Sequence, residues 1–396
     1  MTWKVTNSQD YAPKYVRYLI NTEAVTPGTA VYNFGILAGT VDIDWGDGTS
    51  DTAISANTTH TYSSPGSYIV TISQNGTNTF RPDIGLQEIS VEHESVEGGG
   101  FWDNSMYQAA FVASNLKRWG AIDLGNVTNI RDAWYGCNNL TYFAAADLSN
   151  VTFAYQPWLN CTSLTSFPAI NIGTNTAGCS FYRAWYNCNS MATFGACDLS
   201  KGTDFRETWS ACSSLTSFPD INLSNTTTVQ SAWYFCTSLT SFPVINMPLL
   251  TTAYQAWLNC SGLTSFPAMD LGSTSAGCGF YRTWYNCNSM TTFGACNLGA
   301  ANDFRGTWQN CTSLTTFPAN MFDSATTGLY YNAFYYCALT AASVENILVS
   351  IDTSGVSNGT LTINGGTTAG QASWTTAATT AYNNLVTKGW TITANP

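Results

Sequence analysis

Hydrophobic positions recur with a period near 24 residues along the middle of this chain. An aromatic residue is followed three positions later by cysteine, and polar Thr, Ser and Asn residues fill most of the intervening positions. The aromatic–cysteine pairs are Trp134/Cys137, Trp158/Cys161, Trp185/Cys188, Trp209/Cys212, Trp233/Cys236, Trp257/Cys260, Trp284/Cys287, Trp308/Cys311 and Phe334/Cys337. A degenerate Phe111/Ser114 pair stands where a further unit would open the series. One such unit cannot bury its apolar residues alone, so the pattern predicts stacked units that share a continuous core.

A second hydrophobic run follows most of the cysteines after three residues and has the form Leu-Thr-x-Phe-Pro. It begins at Leu164, Leu215, Leu239, Leu263 and Leu314. Its apolar residues are three apart and do not alternate strictly. We still predict a short strand in each run, because the proline prevents it from continuing.

A longer repeat lies on top of the shorter one. Residues 155–161 return almost unchanged as 254–260, and residues 179–188 return as 278–287. Both shifts are 99 residues, which equals four short units. The two blocks therefore have the appearance of a tandem duplication.

The two ends of the chain follow other patterns. Residues 41–49 alternate apolar and polar positions before a turn at 46–48, and residues 60–72 supply another turn and strand, so we predict an antiparallel β-sandwich. Residues 91–100 are predicted to be a junction or a first irregular coil. After Cys337 we predict a helix at 343–351 with Ser343 as N-cap, a strand at 359–365, a helix at 377–388 and a strand at 390–393. Such a tail would cap the open end of the stack.

Composition excludes several classes of protein. Only 9% of the 396 residues are charged, and the net charge is −11, which argues against nucleic-acid binding and against a polybasic membrane anchor. The two histidines, His60 and His93, are too few for a metalloenzyme built on several histidine ligands. We expect no signal peptide, because residues 1–18 contain no apolar region, and no transmembrane helix, because no stretch approaches 18 apolar residues. No catalytic motif is present, and we predict a non-enzymatic protein without a cofactor.

Three sets of side chains, the cysteines, the tryptophans and four carboxylates, allow either a structural or a chemical interpretation. The cysteine spacing is within disulfide range, but an odd total of 13 and a uniform position favour buried thiols. The tryptophans could form a sugar-stacking platform, but their fixed place in the unit favours core packing. The carboxylates of Asp42, Asp44, Asp47 and Asp51 could suggest calcium, but Ala53 stands where an EF-hand needs its bidentate Glu, and a turn is favoured.

The repeat resembles a known family in residues 126–140, which read Asn-Val-Thr-Asn-Ile-Arg-Asp-Ala-Trp-Tyr-Gly-Cys-Asn-Asn-Leu, followed by Asp-Leu-Ser-Asn-Val-Thr at 147–152. This pattern is similar to the BspA-like leucine-rich repeats of bacterial and phage surface proteins, with Trp where that family usually has Phe. The resemblance covers about 110–337 and implies surface attachment or adhesion without naming a ligand. Tails like that of this chain follow such repeats in phage-encoded proteins. The Trp-Gly-Asp-Gly-Thr run at 45–49 and the His-Thr-Tyr run at 60–62 resemble a PKD-type domain, which implies an immunoglobulin-like spacer.

Candidate binding residues lie shortly before the repeat aromatics. Arginine is scarce, and the four that follow Arg131 all lie two or three residues before a repeat tryptophan. With the neighbouring Gln and Tyr residues they could bind glycans by bidentate hydrogen bonds and stacking. The predicted ligand-binding residues are Arg183, Arg206, Arg282, Arg305, Gln156, Gln255, Tyr155, Tyr182, Tyr254 and Tyr281.

Two alternatives accompany this prediction. The arginines could merely solvate one side or brace Asp204, Glu207 and Asp303, and a one-residue offset between Arg183 and Arg206 suggests different sides. We also expect exposed aromatic side chains at Tyr330 and Tyr331. The hydroxyl pairs of the Leu-Thr-x-Phe runs, such as Thr216/Ser217, could form a flat contact surface or reflect only the β-propensity of Thr.

These observations predict a mainly β protein in three parts. A PKD-like β-sandwich at 1–90 precedes a leucine-rich-repeat solenoid of about ten 24–27-residue coils at 91–337, and an α/β cap follows at 338–396. The expected function is that of a phage fibre or adhesin on the virion surface, which binds a host-cell glycan or protein through the repeats and other virion proteins through its N-terminal part. A bacterial cell-surface adhesin and a purely structural virion decoration protein are the alternatives.

Overall fold

The computed structural model describes residues 15–21, 30–38, 40–56, 58–74, 81–83, 92–99, 116–122, 124–175, 178–275 and 277–396. Strands predominate over these ranges, and the described chain contains two α-helices, which confirms the mainly β class. The Phe111/Ser114 pair lies outside the described residues.

The N-terminal strands form two sheets with mostly antiparallel pairing. They are β1 (Tyr15–Asn21), β2 (Ala30–Ala38), β3 (Val41–Asp44), β4 (Ser50–Ile54), β5 (Thr58–Tyr62), β6 (Ser67–Gln74), β7 (Arg81–Asp83), β8 (Glu92–Gly99) and β9 (Leu116–Ile122). One sheet has the order β5-β2-β7, and the other runs β9-β8-β1-β6-β3-β4 with a short strand of the first repeat at its edge. The strands predicted at 41–49 and 60–72 are present and pair antiparallel.

The segment at 91–100 is not irregular as predicted. It forms β8, which pairs antiparallel with β1 and parallel with β9. These partners are distant in sequence, so the local Gly-rich and Glu-rich composition gave no indication of the strand. The strands on the two sides of residue 90 consequently belong to one sheet.

The turn after β3 uses its carboxylates as local hydrogen-bond acceptors. Asp51 accepts a hydrogen bond from the Trp45 indole at 2.9 Å, and Asp47 lies 2.7 Å from His60 Nε2. The His60 ring also stacks on Trp45 at 4.6 Å. Burial alone would raise the pKa of Asp47, but its hydrogen bonds from Thr49 and its contact with His60 lower it below the ordinary value.

The middle of the chain contains very short strands in parallel register. They are β10 (Tyr142–Phe143), β11 (Ser166–Phe167), β12 (Cys179–Ser180), β13 (Thr193–Phe194), β14 (Gly202–Asp204), β15 (Ser265–Phe266), β16 (Thr292–Phe293) and β17 (Leu329–Tyr330). Each partner lies one unit away in sequence, as in the pairing of Phe167 with Phe194. Isolated parallel bridges such as Ser217–Ser241 continue the pairing where no strand is assigned. The predicted short strand is therefore present in the runs that begin at Leu164 and Leu263, whereas the runs at Leu215, Leu239 and Leu314 form single parallel bridges.

The segment around each repeat aromatic is held by a second backbone ladder. The amides of Asp132, Trp134 and Gly136 donate to carbonyl oxygens of the next unit at 3.0, 2.8 and 2.7 Å. The amides between them close turns within the unit, as from Tyr135 to the Asp132 carbonyl at 3.2 Å. In this segment amides face the following unit and carbonyls face the preceding one, whereas in the strand runs amides such as that of Gly195 donate to the preceding unit. Consecutive units therefore meet through complementary edges.

Two aromatic ladders fill the core along the repeats. The Trp rings from Trp134 to Trp308 are fully buried, and neighbouring rings stack with centroids 5.0–5.7 Å apart. The Phe residues of the Leu-Thr-x-Phe runs form a second stack and meet the tryptophans edge to face, as Phe218 meets Trp209 at 4.9 Å. Core packing of the tryptophans is thus confirmed. Their indole nitrogens, from Trp134 to Trp308, are buried without a hydrogen-bond partner.

The cysteines of the repeat pack as buried free thiols. Each Sγ from Cys161 onward in this position donates to the carbonyl of the tryptophan one unit earlier, as Cys161 does to Trp134 at 3.2 Å. Burial raises the pKa of the Cys212 thiol to about 12.

The C-terminal tail has the predicted helix–strand–helix–strand order. Its elements are α1 (Ala341–Thr353), β18 (Thr360–Ile363), a 3₁₀ turn (Gln371–Ser373), α2 (Thr376–Thr387) and β19 (Thr391–Ala394). The strands extend β17 in parallel, in the order β17-β18-β19. The amides of Phe334 and Tyr336 donate to carbonyls of Thr362 and Asn364, so the tail accepts the hydrogen bonds of the last repeat.

The predicted N-cap of α1 is wrong by three residues. Thr340 is the N-cap, and its side chain accepts a hydrogen bond from the Ser343 amide. The Ser343 hydroxyl instead accepts from the Phe317 amide at 3.0 Å and donates to the Thr315 carbonyl at 2.8 Å. It therefore pairs with the strand edge of the last repeat, where another unit would otherwise bind.

Candidate binding face

Two adjacent columns of side chains lie beside the repeat aromatics, and they contain all ten predicted binding residues. We call the positions three and two residues before the repeat aromatic the outer column and the inner column. The outer column is Arg131, Tyr155, Tyr182, Arg206, Gln230, Tyr254, Tyr281, Arg305 and Tyr331. The inner column is Asp132, Gln156, Arg183, Glu207, Ser231, Gln255, Arg282, Gly306 and Asn332.

Every residue of the inner column has a left-handed backbone, with φ between 51° and 63°. A second left-handed residue lies two positions after each aromatic, where Asn160, Asn187, Asn259, Asn286 and Asn310 recur. Asparagine tolerates this conformation better than most residues, whereas Arg, Gln and Glu of the inner column adopt it at a cost on the order of 1–3 kcal/mol each. The ladder of amides from unit to unit holds the backbone in this form.

The outer column of the first block forms a continuous stack of cationic and aromatic groups. The guanidinium of Arg131 lies over the Tyr155 ring at 5.0 Å, Tyr155 meets Tyr182 at 4.9 Å, and Arg206 lies over Tyr182 at 5.3 Å. Cation–π contacts of this kind fix the planar groups side by side. Tyr155 is 37% exposed, so the stack is open to solvent.

The offset between Arg183 and Arg206 does not separate them, contrary to the sequence-based expectation. Arg183 lies over the Tyr182 ring at 5.0 Å, and Arg206 lies over the same ring at 5.3 Å. The left-handed backbone at Arg183 turns the two columns toward one face. In the second block Arg282 and Arg305 both lie over Tyr281, at 5.2 and 5.4 Å.

Carboxylates pair with three of the four arginines. Arg183 Nε and Nη2 donate to Glu207 at 2.9 and 3.1 Å, and Arg206 donates to Asp204 through Nε and Nη2 at 2.9 and 2.7 Å. Arg305 binds Asp303 in the same way. Burial alone would raise the pKa of Asp204, but the hydrogen bonds from Arg206 bring it below the ordinary value. The bracing role considered as the alternative is therefore present at these three arginines.

The glutamines lie in the inner column, and their backbone amides form hydrogen bonds with the next unit. The amide of Gln156 donates to the Tyr182 carbonyl at 3.0 Å, and that of Gln255 donates to the Tyr281 carbonyl at 2.9 Å. Both side chains are half-buried beside the tyrosine pairs. The Tyr254 and Tyr281 rings lie 6.0 Å apart at 75°, a more open arrangement than that of Tyr155 and Tyr182.

Of the two other tyrosines considered, one is not available. Tyr330 is fully buried, and it stacks on Phe304 at 4.8 Å. Sequence alone did not reveal this, because Tyr330 belongs to β17 and is covered by the tail, where Trp390 packs against it. Tyr331 is 59% exposed and continues the outer column.

The threonine hydroxyl groups of the strand runs form hydrogen bonds with backbone carbonyls. The Thr240 hydroxyl donates to the Thr216 carbonyl at 3.2 Å, and Thr264 donates to Thr240 at 3.1 Å. The threonine hydroxyl hydrogens are thus committed to the preceding unit, which favours a structural role.

Grooves of about 540 and 330 Å³ are present on the repeats, and neither is lined by a residue of the two columns.

Four residues outside the predicted binding set complete the face, and of these only Glu207 was named from the sequence, as a possible partner of the arginines. Glu207 and Gly306 belong to the inner column, and Tyr186 and Tyr285 follow the repeat tryptophans and lie 5.3 Å from Arg183 and Arg282. Alignment of the units on their tryptophans would have placed all four beside the arginines.

No protein-family model matches the chain, and no curated protein or solved structure resembles it significantly. Within the described ranges, no helix has the length and hydrophobicity to cross a membrane. Over the same ranges, no three His, Cys, Asp or Glu side chains converge as a metal site.

Proposed function

We propose that this protein is a non-enzymatic binding protein of a phage virion surface, which attaches to a glycan or protein of the host cell through the two columns. The observation that carries this proposal is the solvent-open stack of tyrosine and arginine along the outer column. Planar side chains with fixed guanidinium groups favour sugar rings and their polar substituents.

The proposed architecture is a leucine-rich-repeat solenoid of the BspA-like type with a PKD-like N-terminal domain and a C-terminal cap. Parallel pairing between consecutive units and the continuous Trp and Phe ladders support the solenoid. The hydrogen bonds from Ser343 to the last repeat support the cap. The resemblance of the repeat and of its tail to phage-encoded surface proteins supports the virion location.

Binding would be multivalent. The tyrosine pair of the first block recurs four units later, and at 4.7–4.9 Å per unit the two pairs lie roughly 20 Å apart. Weak contacts at several units would add to a useful avidity on a repetitive cell surface. The N-terminal domain would hold the protein on other virion proteins.

Immunogold electron microscopy with an antibody against the repeats tests the location on producing cells and on released particles. We expect gold on the fibres of the particles. Gold on intact cell envelopes, with none on particles, would contradict the virion location and favour a bacterial adhesin. Binding of the purified protein to host cells tests the attachment role, and a protein on particles that binds no cell or glycan would be a structural decoration.

A further inference from the structure

The two 99-residue blocks differ in one charged contact at equivalent positions. In the first block Arg183 forms a bidentate ion pair with Glu207, one unit later in the inner column. In the second block Arg282 corresponds to Arg183, and Gly306 stands where Glu207 stands. The flanking residues Asp303, Arg305 and Trp308 are the same as Asp204, Arg206 and Trp209, so the change is confined to the acid and its close neighbours.

Arg282 keeps the rest of its surroundings. Its guanidinium lies 5.2 Å from the Tyr281 ring and 5.3 Å from the Tyr285 ring, as Arg183 lies between Tyr182 and Tyr186. No carboxylate of the described residues lies within ion-pair distance of it. Arg305 lies over the same Tyr281 ring and binds the Asp303 carboxylate through two hydrogen bonds, so of these two arginines only Arg305 has a carboxylate partner among the described residues.

Gly306 lies directly beside this arginine. A Cβ on Gly306 would lie 3.2 Å from Arg282 Cγ, 3.3 Å from the Gln309 amide oxygen and 3.8 Å from Arg282 Nε, so these two flexible side chains would have to move by a few tenths of an ångström. A glutamate side chain here would thus reach Arg282 as Glu207 reaches Arg183. Gly306 itself is buried and offers Arg282 no carboxylate, and the half-buried Gln309 brings an amide where the first block has the buried Ser210.

We infer that Arg282, Tyr281, Tyr285 and Gln309 form a binding site for a carboxylate-bearing sugar, such as a uronate residue of an acidic glycan. The ligand carboxylate takes the place that Glu207 fills in the first block and accepts two parallel hydrogen bonds from Arg282. The sugar ring lies against the tyrosines, and the Gln309 amide pairs with a hydroxyl group. In the first block the Glu207 carboxylate already occupies the equivalent place beside Arg183, so we call this copy of the site closed. The copy beside Arg282 lacks an internal carboxylate, and we call it open.

This inference deepens the proposed function and rests on it, since it names the ligand class of the same face. The test uses the full-length protein and an oligogalacturonate, whose methyl ester provides the same sugar without the free carboxylate. Isothermal titration measures affinity and stoichiometry. We expect the oligogalacturonate to bind at one site, and its methyl ester to bind roughly tenfold more weakly or not at all.

The variants exchange the closed and open copies. G306E should restore the internal ion pair and weaken binding roughly tenfold or more, while G306Q, which fills the same space without the charge, should weaken binding clearly less than G306E does. The left-handed backbone is no obstacle, because Glu207 adopts φ 55° at the equivalent position. E207G/S210Q should open the first block and raise the stoichiometry from one to two. Thermal unfolding confirms that each variant is folded.

Several outcomes would overturn the inference. If G306E and the natural protein bind the oligogalacturonate with equal affinity, the site at Arg282 is wrong. The proposed function would still stand if the protein binds host cells. Equal binding of acid and methyl ester, displacement by acetate at the same concentration, or preference for a sulfated oligosaccharide would each overturn the ligand class. If the protein binds neither the probe nor host cells, the proposed function is contradicted as well.

Discussion

The Sγ atom of Cys212 lies 3.2 Å from the carbonyl oxygen of Trp185, one repeat earlier. The same carbonyl accepts the amide of Cys188 within its own unit. The cysteine therefore links two units while occupying a small apolar space beside the tryptophan stack, which neither alanine nor serine would do equally well.

The thiols should be inert in the folded protein. All thirteen are buried, and burial raises the pKa of thiols such as Cys197 and Cys311 to about 12, so the reactive thiolate is scarce at pH 8. We expect iodoacetamide to leave the native protein unmodified and to add thirteen groups after denaturation without reductant, counted by intact mass. Fewer than thirteen in the denatured state would reveal disulfides, and rapid native labelling would contradict the burial.

Substitutions at Trp209 should separate volume from polarity in the aromatic core. W209A removes a ring that stacks on Trp185 and Trp233, and we expect a loss of about 3–5 kcal/mol in the free energy of unfolding. W209F should cost less than about 1.5 kcal/mol, because it also removes a buried indole N–H without a partner. Phe334 shows that the position accepts Phe, since it stacks on Trp308 at 5.0 Å.

Urea unfolding followed by circular dichroism measures both changes. An equal loss for W209F and W209A would mean that the indole N–H contributes a stabilising contact after all, for instance with the face of Phe218.

Asp204 should give the fold an acid-dependent stability. Its pKa is lowered in the folded state from an ordinary value of 3.8, so its contribution is complete above that value and is lost as the pH falls toward the lower, folded-state pKa. D204N should therefore be less stable than the natural protein at pH 7, and the difference should shrink toward about pH 2.

The control for this prediction is D220N, which changes an exposed carboxylate that pairs with no cation among the described residues. Urea unfolding across pH checks both variants. A deficit of D204N that stays constant from neutral to acid pH would contradict a role for the charged pair with Arg206.

The Ser343 hydroxyl should stabilise the junction between the last repeat and α1. S343A leaves the Phe317 amide and the Thr315 carbonyl without this partner in a buried place, and we expect a loss of about 1–3 kcal/mol. The exposed Ser357 offers a matched control in S357A, which should be neutral within about 0.5 kcal/mol. Faster hydrogen exchange of the Phe317 amide in S343A would locate the effect, and unchanged exchange would refute it.

The sequence predicted the parts of the fold that depend on local periodicity. The position of each tryptophan in the core, the short strands before the prolines and the order of the tail elements all follow from spacing, because every unit has the same neighbours. The strand at 92–99 was missed, because its partners lie far away in the sequence. The N-cap Thr340 accepts a local hydrogen bond from the Ser343 amide, but the distant Phe317 and Thr315 engage the hydroxyl of Ser343, the residue predicted as the cap.

In the candidate face, too, some features follow from residue spacing and others do not. Spacing placed the tyrosines and arginines near one another, but their common orientation depends on the left-handed backbone of the inner column. The burial of Tyr330 depends on the packing of Trp390 from the tail. Such effects arise from the assembled backbone and have no signature in residue spacing.

The complementary edges of the units have a consequence for the history of the gene. Loss of residues 155–253 by unequal crossing-over would join Ala154 to Tyr254, and every new neighbour would be equivalent to the one it replaced. The shortened chain would keep both of its ends and a full set of paired amides while losing the Arg183–Glu207 pair. Descendants of this gene can therefore differ in length and in the number of units that carry the two columns through a single genetic event, without any search for a new fold.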